Sequence, residues 1–317
     1  MKQKLLICGA TGFIGRNLTE HFAQDERYEI TATHLTREPW CEAPNIKWVR
    51  ADLRIQADVD KVVQGQDIII QAAATTSGAG EIVSKPYIHV TDNAVMNSLL
   101  LRSAYENNVS HFVFFSCTIM YPSQPEPLKE SDFDANAPMH DRYFGAGWTK
   151  VYCEKQCEFY SRLGRTKHTV LRHSNIYGPH DKFDLKRSHV FGATMTKIHQ
   201  AEDNAITVWG TGEEERDLLY IDDLKDAVVA SIEHQPNPFG LYNIGFGASV
   251  SIKNLVHTMI ECAEMNLEVK HDLSKPTIPT KLCVDSTQAK NDLNWEPKTS
   301  LQDGIQKTLR WYRDNIL

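Results

Sequence analysis

A glycine-rich turn near the start of this 317-residue chain restricts the fold more than any other feature. The run KLLICGATGFIGRNL combines a short apolar strand, glycines at positions 9, 12 and 15, and the start of a helix. Glycine at this spacing permits a tight turn, a close backbone approach to a pyrophosphate and close packing of helix on strand. The helix N-terminus adds free N–H groups and a positive dipole end. The sequence therefore predicts a dinucleotide site at residues 9–15.

The rest of the first half alternates apolar strands with helices. The strand-like runs are YEITATHL, IKWVRADL, QDIIIQAAA and HFVFFSC, and the helical runs include QADVDKVVQG and TDNAVMNSLLLRSAYENN. Strands that are apolar throughout and alternate with helices are typical of a parallel sheet covered on both faces. We therefore predict an α/β fold with a doubly wound, Rossmann-like parallel sheet, whose ligands bind at the carboxyl ends of the strands.

The composition of the chain changes after Pro122, where the polar, proline-rich run PSQPEPLKESDFDANAP predicts a loop. A helix in WTKVYCEKQCEFYSRLG and a single strand in HTVLRHSNIYGP follow, and the chain ends in the amphipathic helix SLQDGIQKTLRWYRDNIL. We predict a dinucleotide-binding domain over residues 1–171, with an interleaved segment at about 216–235. A smaller substrate-binding lobe is predicted over residues 172–317.

Composition excludes several function classes. The net charge of −7 and the lack of a Lys/Arg cluster do not suit a nucleic-acid partner. No run approaches the roughly 18 consecutive apolar residues of a membrane helix, and the N-terminus does not read as a signal peptide. The cytoplasm is the expected compartment. The seven scattered cysteines indicate reduced thiols and no metal site.

The end of the second predicted strand bears on which dinucleotide binds. An Asp or Glu there would bind the ribose 2′-hydroxyl of NAD, whereas a nearby arginine suits the 2′-phosphate of NADP. The sequence TATHLTRE offers His34 and Arg37 at this point. Both cofactors stay open, with NADP slightly favoured, and a solvated loop residue is the alternative role for Arg37. The predicted cofactor-binding residues are Gly9, Thr11, Gly12, Phe13, Ile14, Gly15, Arg16, His34, Arg37, Asp52, Leu53, Ala72, Ala73, Ala74, Asn93 and Lys150.

Further motifs extend over almost the whole chain, and they are GATGFIG, ADL, AAA, FFSCTIMYP, WTKVYCEK, RHSNIYGP, ERDLLYIDDL and YNIGFG. Together they resemble the extended short-chain dehydrogenases/reductases, the NAD-dependent epimerases and dehydratases that act on nucleotide sugars. The segment NIYGPHDKFDLKRSHV is most similar to the GDP-fucose synthase group and to GDP-heptose C4 dehydrogenases/reductases. The resemblance implies a GDP-linked sugar, held by Asn175, Ser188, His189, Val190, Lys197, Arg216 and Lys281.

The same resemblance exposes a gap in the expected catalytic set. The family places a Tyr four residues before a Lys on one helix, and a Ser or Thr at a strand end; the lysine lowers the tyrosine pKa so that it exchanges a proton while hydride moves. Lys150 matches the lysine, but Ala146 occupies the tyrosine position and Cys117 the hydroxyl position. Ile119 stands where the GDP-fucose synthase group has its epimerisation cysteine.

Other side chains near the gap are candidates for the missing groups. Tyr143 is seven residues before Lys150, a spacing that shares one helix face, although packing of an aromatic ring is the alternative role. Cys117 is either a thiolate beside Lys150 or a small filler, and Thr118 or Ser116 would replace the missing hydroxyl. His189 falls on the family's catalytic histidine. We predict Lys150, Tyr143, Cys117, Thr118 and His189 as the catalytic residues.

The predicted function is an oxidoreductase that exchanges hydride between NAD(P) and C4 of a nucleotide sugar, a GDP-hexose or GDP-heptose, for surface polysaccharide synthesis. One alternative is a nucleotide-sugar epimerase or dehydratase that recycles a tightly bound NAD(P). Another is a catalytically impaired homologue that only binds the nucleotide sugar. The resemblance also implies a homodimer or a higher homo-oligomer.

Overall fold

A computed structural model describes residues 2–76, 85–185, 188–275, 277 and 280–317 of the chain. Its main sheet is parallel throughout and contains seven of the described strands. They are β1 (Gln3–Cys8), β2 (Tyr28–His34), β3 (Ile46–Arg50), β4 (Ile68–Gln71), β5 (His111–Cys117), β6 (Lys167–His173) and β10 (Phe239–Ile244). The remaining strands are β7 (Asn175–Tyr177), β8 (Ala205–Trp209), β9 (Glu215–Tyr220), β11 (Ser249–Ser251) and β12 (Glu268–Asp272).

Nine α-helices lie within the described ranges. They are α1 (Phe13–Ala23), α2 (Gln56–Val63), α3 (Thr91–Glu106), α4 (Phe144–Arg162), α5 (Val190–His199), α6 (Ile221–His234), α7 (Ile252–Cys262), α8 (Thr287–Leu293) and α9 (Leu301–Asn315). Short 3-10 turns occupy Pro86–His89, Glu130–Asp132 and Asp141–Tyr143. None of the described helices has the length and apolarity to cross a membrane.

The strand β1 shows why the sequence forms a doubly wound sheet. Successive side chains of a strand point to opposite faces. Leu5 and Ile7 accordingly pack into one core cluster while Leu6 and Cys8 pack into the other, and all four are fully buried. Helices therefore cover both faces of the sheet, and the predicted α/β, Rossmann-like fold is confirmed.

The strand order of the main sheet is β10-β6-β5-β4-β1-β2-β3. The chain runs outward from β1 to β3, and then returns to the other side of β1 to add β4, β5 and β6. In open parallel sheets of this kind, a crevice opens at the carboxyl ends of the strands where the order reverses. The order thus places a ligand crevice beside the ends of β1 and β4, next to the end of β5.

The second half of the chain contributes to the main sheet and to two small ones. The strand β10 pairs with β6 at the edge of the main sheet. The three-stranded sheet has the order β11-β9-β7, and β8 pairs with β12. The helix α6 packs on α1 of the first half.

Two predicted elements have different bounds in the structure. The single strand expected at 168–179 is interrupted at Ser174, whose N–H donates to the carbonyl of Ile244 before the chain enters the small sheet as β7. The helix expected from Trp148 begins four residues earlier, at Phe144. Gly145 and Gly147 lie within this helix, and a Cβ on either would overlap the side chain of Val90 or Met139.

Candidate active site

The glycine loop has the shape that a dinucleotide pyrophosphate requires. Gly9 has a φ of +71°, and a Cβ on it would lie 2.6 Å from the Cα of Ala73. A Cβ on Gly15 would overlap the carbonyl oxygen of Gly9. Gly12 is the N-cap of α1 and offers no side chain to cap it, so the first N–H groups of the helix are left for a ligand. The loop that contains Thr11, Phe13 and Ile14 therefore fits the predicted cofactor.

Two arginines stand near this loop at the end of β2. The exposed Arg37 donates from Nη1 to the carbonyl oxygen of Thr11, 3.3 Å away. His34 places its Nδ1 3.0 Å from the carbonyl oxygen of Arg37, which ties the turn after β2 to the strand end. Arg16 pairs with Glu20 at 3.0 Å, and its guanidinium lies 4.8 Å from the ring centroid of Trp40. Arg37 after β2 and Arg16 on α1 thus flank the glycine loop, and the Arg16 charge is paired with Glu20.

The predicted adenine side of the site follows β3. The carboxylate of Asp52 accepts two hydrogen bonds from Arg54, at 2.9 and 2.8 Å. These bonds lower the pKa of Asp52. Arg54 also pairs with Asp92 at 3.0 Å, and Leu53 is buried in the core. The Asp52 carboxylate is therefore already committed to Arg54.

The segment after β4 forms the next part of the crevice. Ala72 and Ala73 are partly buried and Ala74 is exposed, so small side chains line this strand end. Asn93 on α3 accepts from the N–H of Thr75 and donates to its carbonyl, both at 3.0 Å. The asparagine thus positions the backbone that follows the alanines.

Lys150 lies at the carboxyl end of β5. Its Nζ donates to the carbonyl oxygen of Phe115 at 2.6 Å and lies 4.8 Å from the ring centroid of Phe114. The partly buried Cys117 is in range of this ammonium: burial raises the pKa of the thiol, and Lys150 opposes that rise. Thr118, the next residue, is buried. The predicted lysine and cysteine are thus brought together.

Tyr143 lies near the same region. The sequence predicted that it shares a helix face with Lys150, and this is wrong. It ends the 3-10 turn Asp141–Tyr143 and is the N-cap of α4, so it precedes the helix. Burial raises the pKa of its phenol, Arg216 opposes the rise and Cys117 adds to it. The phenol therefore lies in the field of groups from β5 and β9, and it stays protonated at neutral pH.

The structure also adds a histidine that the sequence prediction missed. His173 ends β6 as the register partner of Cys117 at the end of β5. Its Nδ1 lies 2.8 Å from the carbonyl oxygen of Ser174. Burial lowers the pKa of His173 to about 4, and Lys150 and His189 add to the decrease. No signal in one sequence reveals this position, because strand register brings it beside Cys117.

His189 is the N-cap of α5 and its side chain is open to solvent. Enough protein surrounds the imidazole that burial lowers its pKa, and Lys182 adds to the effect. His189 and Lys150 both lower the pKa of His173, so both lie within electrostatic range of its imidazole.

The other predicted substrate residues use their polar groups on neighbouring backbone. Asn175 donates to the carbonyl of Asp217 at 3.1 Å, and Lys197 donates to that of Thr207 at 2.7 Å. The Ser188 hydroxyl donates to the carbonyl of Lys182. Val190, the first residue of α5, packs against the main core cluster.

The two remaining basic residues lie at β9 and after β12. Arg216 donates to the carbonyl oxygens of Glu215 and Thr280, both at 2.8 Å. Lys281 is 53% exposed and pairs with Glu215 at 2.7 Å. Lys186 and Arg187 of the segment NIYGPHDKFDLKRSHV lie outside the described residues.

A buried ion pair holds the two strand ends of the site together. Glu154 on α4 accepts from Arg172 at 3.0 and 2.7 Å, and from the Ser116 hydroxyl at 2.5 Å. Arg172 also donates to the Tyr121 hydroxyl at 2.8 Å. Ser116 and Arg172 immediately precede Cys117 and His173. The bonds to Glu154 therefore fix the backbone from which the Cys117 and His173 side chains extend.

The site is built from thiol, phenol, ammonium and imidazole groups. All seven cysteines are free thiols. Within the described part of the chain, His, Cys, Asp and Glu side chains form no group of three or more that would hold a metal ion.

Comparisons with known proteins identify the family of this chain. The sequence profile of the NAD dependent epimerase/dehydratase family matches residues 5–245. GDP-L-fucose synthase of Azorhizobium caulinodans is 28% identical over 98% of this chain and 96% of its own length. GDP-L-fucose synthase 1 of Arabidopsis thaliana is 31% identical over 84% of this chain and 83% of its own length.

Solved structures share the fold over the whole chain. The crystal structure of UDP-glucose 4-epimerase from Thermotoga maritima superimposes with a TM-score of 0.87 at 22% identity, and the alignment covers 99% of this chain and 100% of that one. The resemblance to extended short-chain dehydrogenases/reductases is thereby confirmed. The chain belongs to the NAD-dependent epimerase/dehydratase family and is an NAD(P)-dependent enzyme of the nucleotide-sugar epimerase and reductase type.

Proposed function

We propose that this enzyme exchanges hydride between NAD(P) and C4 of a nucleotide sugar, a GDP-hexose or a GDP-heptose. The observation that carries the proposal is the Lys150 ammonium, held by the Phe115 carbonyl at the end of β5, where the strand order opens a crevice beside the glycine loop. The GDP-L-fucose synthases to which the chain is similar support a GDP-linked substrate. The bound nicotinamide supplies or accepts the hydride.

The chain's own residues orient the sugar and manage its proton. Lys150 anchors the nicotinamide ribose and provides positive charge beside the reacting oxygen. The protonated Tyr143 phenol donates a hydrogen bond to the C4 oxygen and is the candidate acid–base group from the sequence. Cys117 and Thr118 line the strand end, and His189 is a second acid–base candidate on the opposite wall.

We favour NADP(H) over NAD(H) as the redox partner. The end of β2 places Arg37 against the glycine loop at Thr11, and His34 occupies the strand end where an NAD site has a carboxylate. A 2′-phosphate at this point would pair with the Arg37 guanidinium, a charge-assisted contact that a 2′-hydroxyl does not make.

The nucleotide sugar itself lies, in this proposal, between the strand ends and the second half of the chain. Arg216 and Lys281 contact the diphosphate in this proposal. Arg216 acts electrostatically on the Tyr143 phenol, and Lys281 pairs with Glu215, the residue before Arg216 on β9. Asn175, Ser188, Val190 and Lys197 shape the surrounding wall through the backbone that they hold.

We propose residues 1–171, with about 216–235, as the dinucleotide-binding domain and residues 172–317 as the nucleotide-sugar lobe. In this proposal the enzyme works in the cytoplasm, and its product is an activated sugar for the synthesis of surface polysaccharide.

Val95, Tyr152 and Phe159 on α3 and α4 are 38%, 50% and 56% exposed. These apolar side chains support a homodimer through the two helices.

Ile119 favours net redox chemistry over epimerisation. An epimerisation at C3 or C5 needs an ionisable group at the sugar, and Ile119, where the resemblance expects that cysteine, has none. An epimerase or dehydratase that recycles its nicotinamide would show no net change in nicotinamide absorbance during turnover.

The test is a substrate screen read in two ways. Purified enzyme is incubated with GDP- and UDP-linked hexoses or heptoses, with NAD(P) in either redox state, while absorbance at the nicotinamide band and product mass are followed. We expect a matching absorbance change and two-hydrogen mass change with a GDP-sugar. Product without absorbance change indicates the recycling enzymes, and tight sugar binding without product indicates the impaired homologue.

A further inference from the structure

We propose that His173 is the group that exchanges a proton with the sugar hydroxyl, working from the end of β6 in place of the tyrosine that Ala146 replaces. This inference rests on the proposed function and deepens it. The family's tyrosine position, Ala146, lies one helical turn before Lys150 on α4 and carries only a methyl group. His173 reaches the same cleft from the sheet.

The hydrogen bond to Ser174 determines which imidazole nitrogen is free. The carbonyl oxygen of Ser174 can only accept, so the Nδ1 of His173, 2.8 Å away, carries the ring proton. The Nε2 then carries the lone pair that can accept a proton. The ring meets Phe115 edge-on, with 6.0 Å between centroids, which restricts its rotation. The structure thus fixes a tautomer suited to a base.

Charged and titratable groups face the imidazole from three elements. Lys150 on α4 and His189 at the start of α5 both act electrostatically on the ring. Cys117 is its register partner on β5, and Lys150 donates to the carbonyl of Phe115, whose ring the imidazole contacts. On the other side, its partner in β10 is the apolar Ile244. Burial and the Lys150 charge both favour the neutral ring. His173 is therefore uncharged at neutral pH, and because a pKa of about 4 makes the imidazole a weak base, it takes the hydroxyl proton only as the hydride leaves C4.

The proton step balances with the hydride that the nicotinamide accepts. In oxidation, the C4 hydroxyl proton moves to Nε2 of His173, and the O–H bonding pair becomes the second C–O bond. The C4–H pair leaves as hydride to the oxidised nicotinamide. In the reverse direction the imidazolium returns the proton. Tyr143 stays protonated and hydrogen-bonds the same oxygen, so the two residues have different tasks.

The activity test compares His173→Asn with His257→Asn, an exposed histidine on α7. The asparagine amide keeps a donor for the Ser174 carbonyl but has no basic nitrogen. We expect kcat to fall by roughly 10²- to 10⁴-fold with KM for the sugar within about threefold, as for loss of a general base. Added imidazole should restore part of the turnover of His173→Ala. An unchanged kcat for His173→Asn in an active wild-type background overturns the inference and leaves the proposed function standing.

A second readout needs no turnover. Imidazole resonances of the cofactor-free protein are titrated by NMR, with His173 assigned from its loss in His173→Asn or, if that variant does not fold, in His173→Gln. We expect His173 to titrate near its pKa of about 4, and Lys150→Met to raise that pKa. A His173 pKa near 6.5 that does not change in Lys150→Met overturns the inference. This holds even if no sugar is turned over and the proposed function fails.

Discussion

Replacing Glu154 with glutamine tests whether the buried ion pair organises the active site. The side chains of Arg172 and Glu154 are 3% and 5% exposed, and three hydrogen bonds converge on the carboxylate. The variant keeps the shape of the side chain but leaves the buried Arg172 charge without its carboxylate partner. Such a loss costs about 3–5 kcal/mol, against a total stability of about 5–15 kcal/mol.

A matched control lies one helical turn further along α4. Glu158 pairs with Lys155 and Arg162, whose side chains are 72% and 73% exposed. Because solvent screens these pairs, we expect Glu158→Gln to cost less than about 1 kcal/mol. The two substitutions make the same chemical change on the same helix and differ in burial.

Urea denaturation followed by circular dichroism at pH 7 gives the free energy of unfolding of each variant. We also expect Glu154→Gln to lower turnover, because Ser116 and Arg172 position Cys117 and His173. If Glu154→Gln loses no more stability than Glu158→Gln, the reasoning about the buried pair is refuted.

Three further outcomes are expected. Gly15→Ala should raise the Kd for the dinucleotide in calorimetry, since overpacking of about 1–3 kcal/mol corresponds to roughly 5- to 150-fold. Gly65→Ala strains the backbone at a φ of +74° away from this loop, where a Cβ meets nothing within 4 Å, and should leave that Kd unchanged. Arg37→Ala should raise the Kd for NADP by roughly 10- to 150-fold and barely change that for NAD, as a charge-assisted hydrogen bond of about 1.5–3 kcal/mol requires; equal losses contradict the assignment. Burial holds the pKa of His168 at about 4, below its usual 6.5, so the unfolded chain binds the extra proton as pH falls through this window and stability is lost. Between pH 6.5 and 5 wild type should lose about 1.5 kcal/mol more stability than His168→Gln in urea melts, and parallel curves would contradict this.

The glycine loop and the strand pattern could be read from the sequence because both are local. The spacing of Gly9, Gly12 and Gly15 encodes a backbone shape, and apolar runs such as that of β1 encode burial on both faces. Lys150 was equally accessible, since it lies at a motif position within one helix. The structure agrees with the expected shape of the glycine loop and with the burial of β1 on both faces, and the catalytic role of Lys150 stays a prediction.

The parts that escaped prediction depend on contacts between distant residues. His173 lies beside Cys117 only because β5 and β6 pair in one register, and that register cannot be read from a single sequence. The break at Ser174 follows from a hydrogen bond to Ile244, 70 positions away in the chain. In α4, Met139 packs so closely on Gly147 that a Cβ would overlap it, a contact that local sequence does not reveal.

The asparagine and serine predictions show a further limit. Asn175 and Ser188 were expected to face the sugar, yet both satisfy backbone carbonyls in the second half of the chain. A polar residue in a loop-rich segment can serve either purpose, and the sequence carries the same letter in both cases. Their part in substrate binding stays a prediction.

Isotope transfer tests the central claim most directly. The enzyme is incubated with a GDP-4-keto sugar and NADPH deuterated at the transferring position of the nicotinamide, and the product is examined by NMR and mass spectrometry. The account predicts one deuterium at C4 of the sugar and one oxidised nicotinamide for each product formed. Product that carries no deuterium at C4, or deuterium at another carbon, would contradict it.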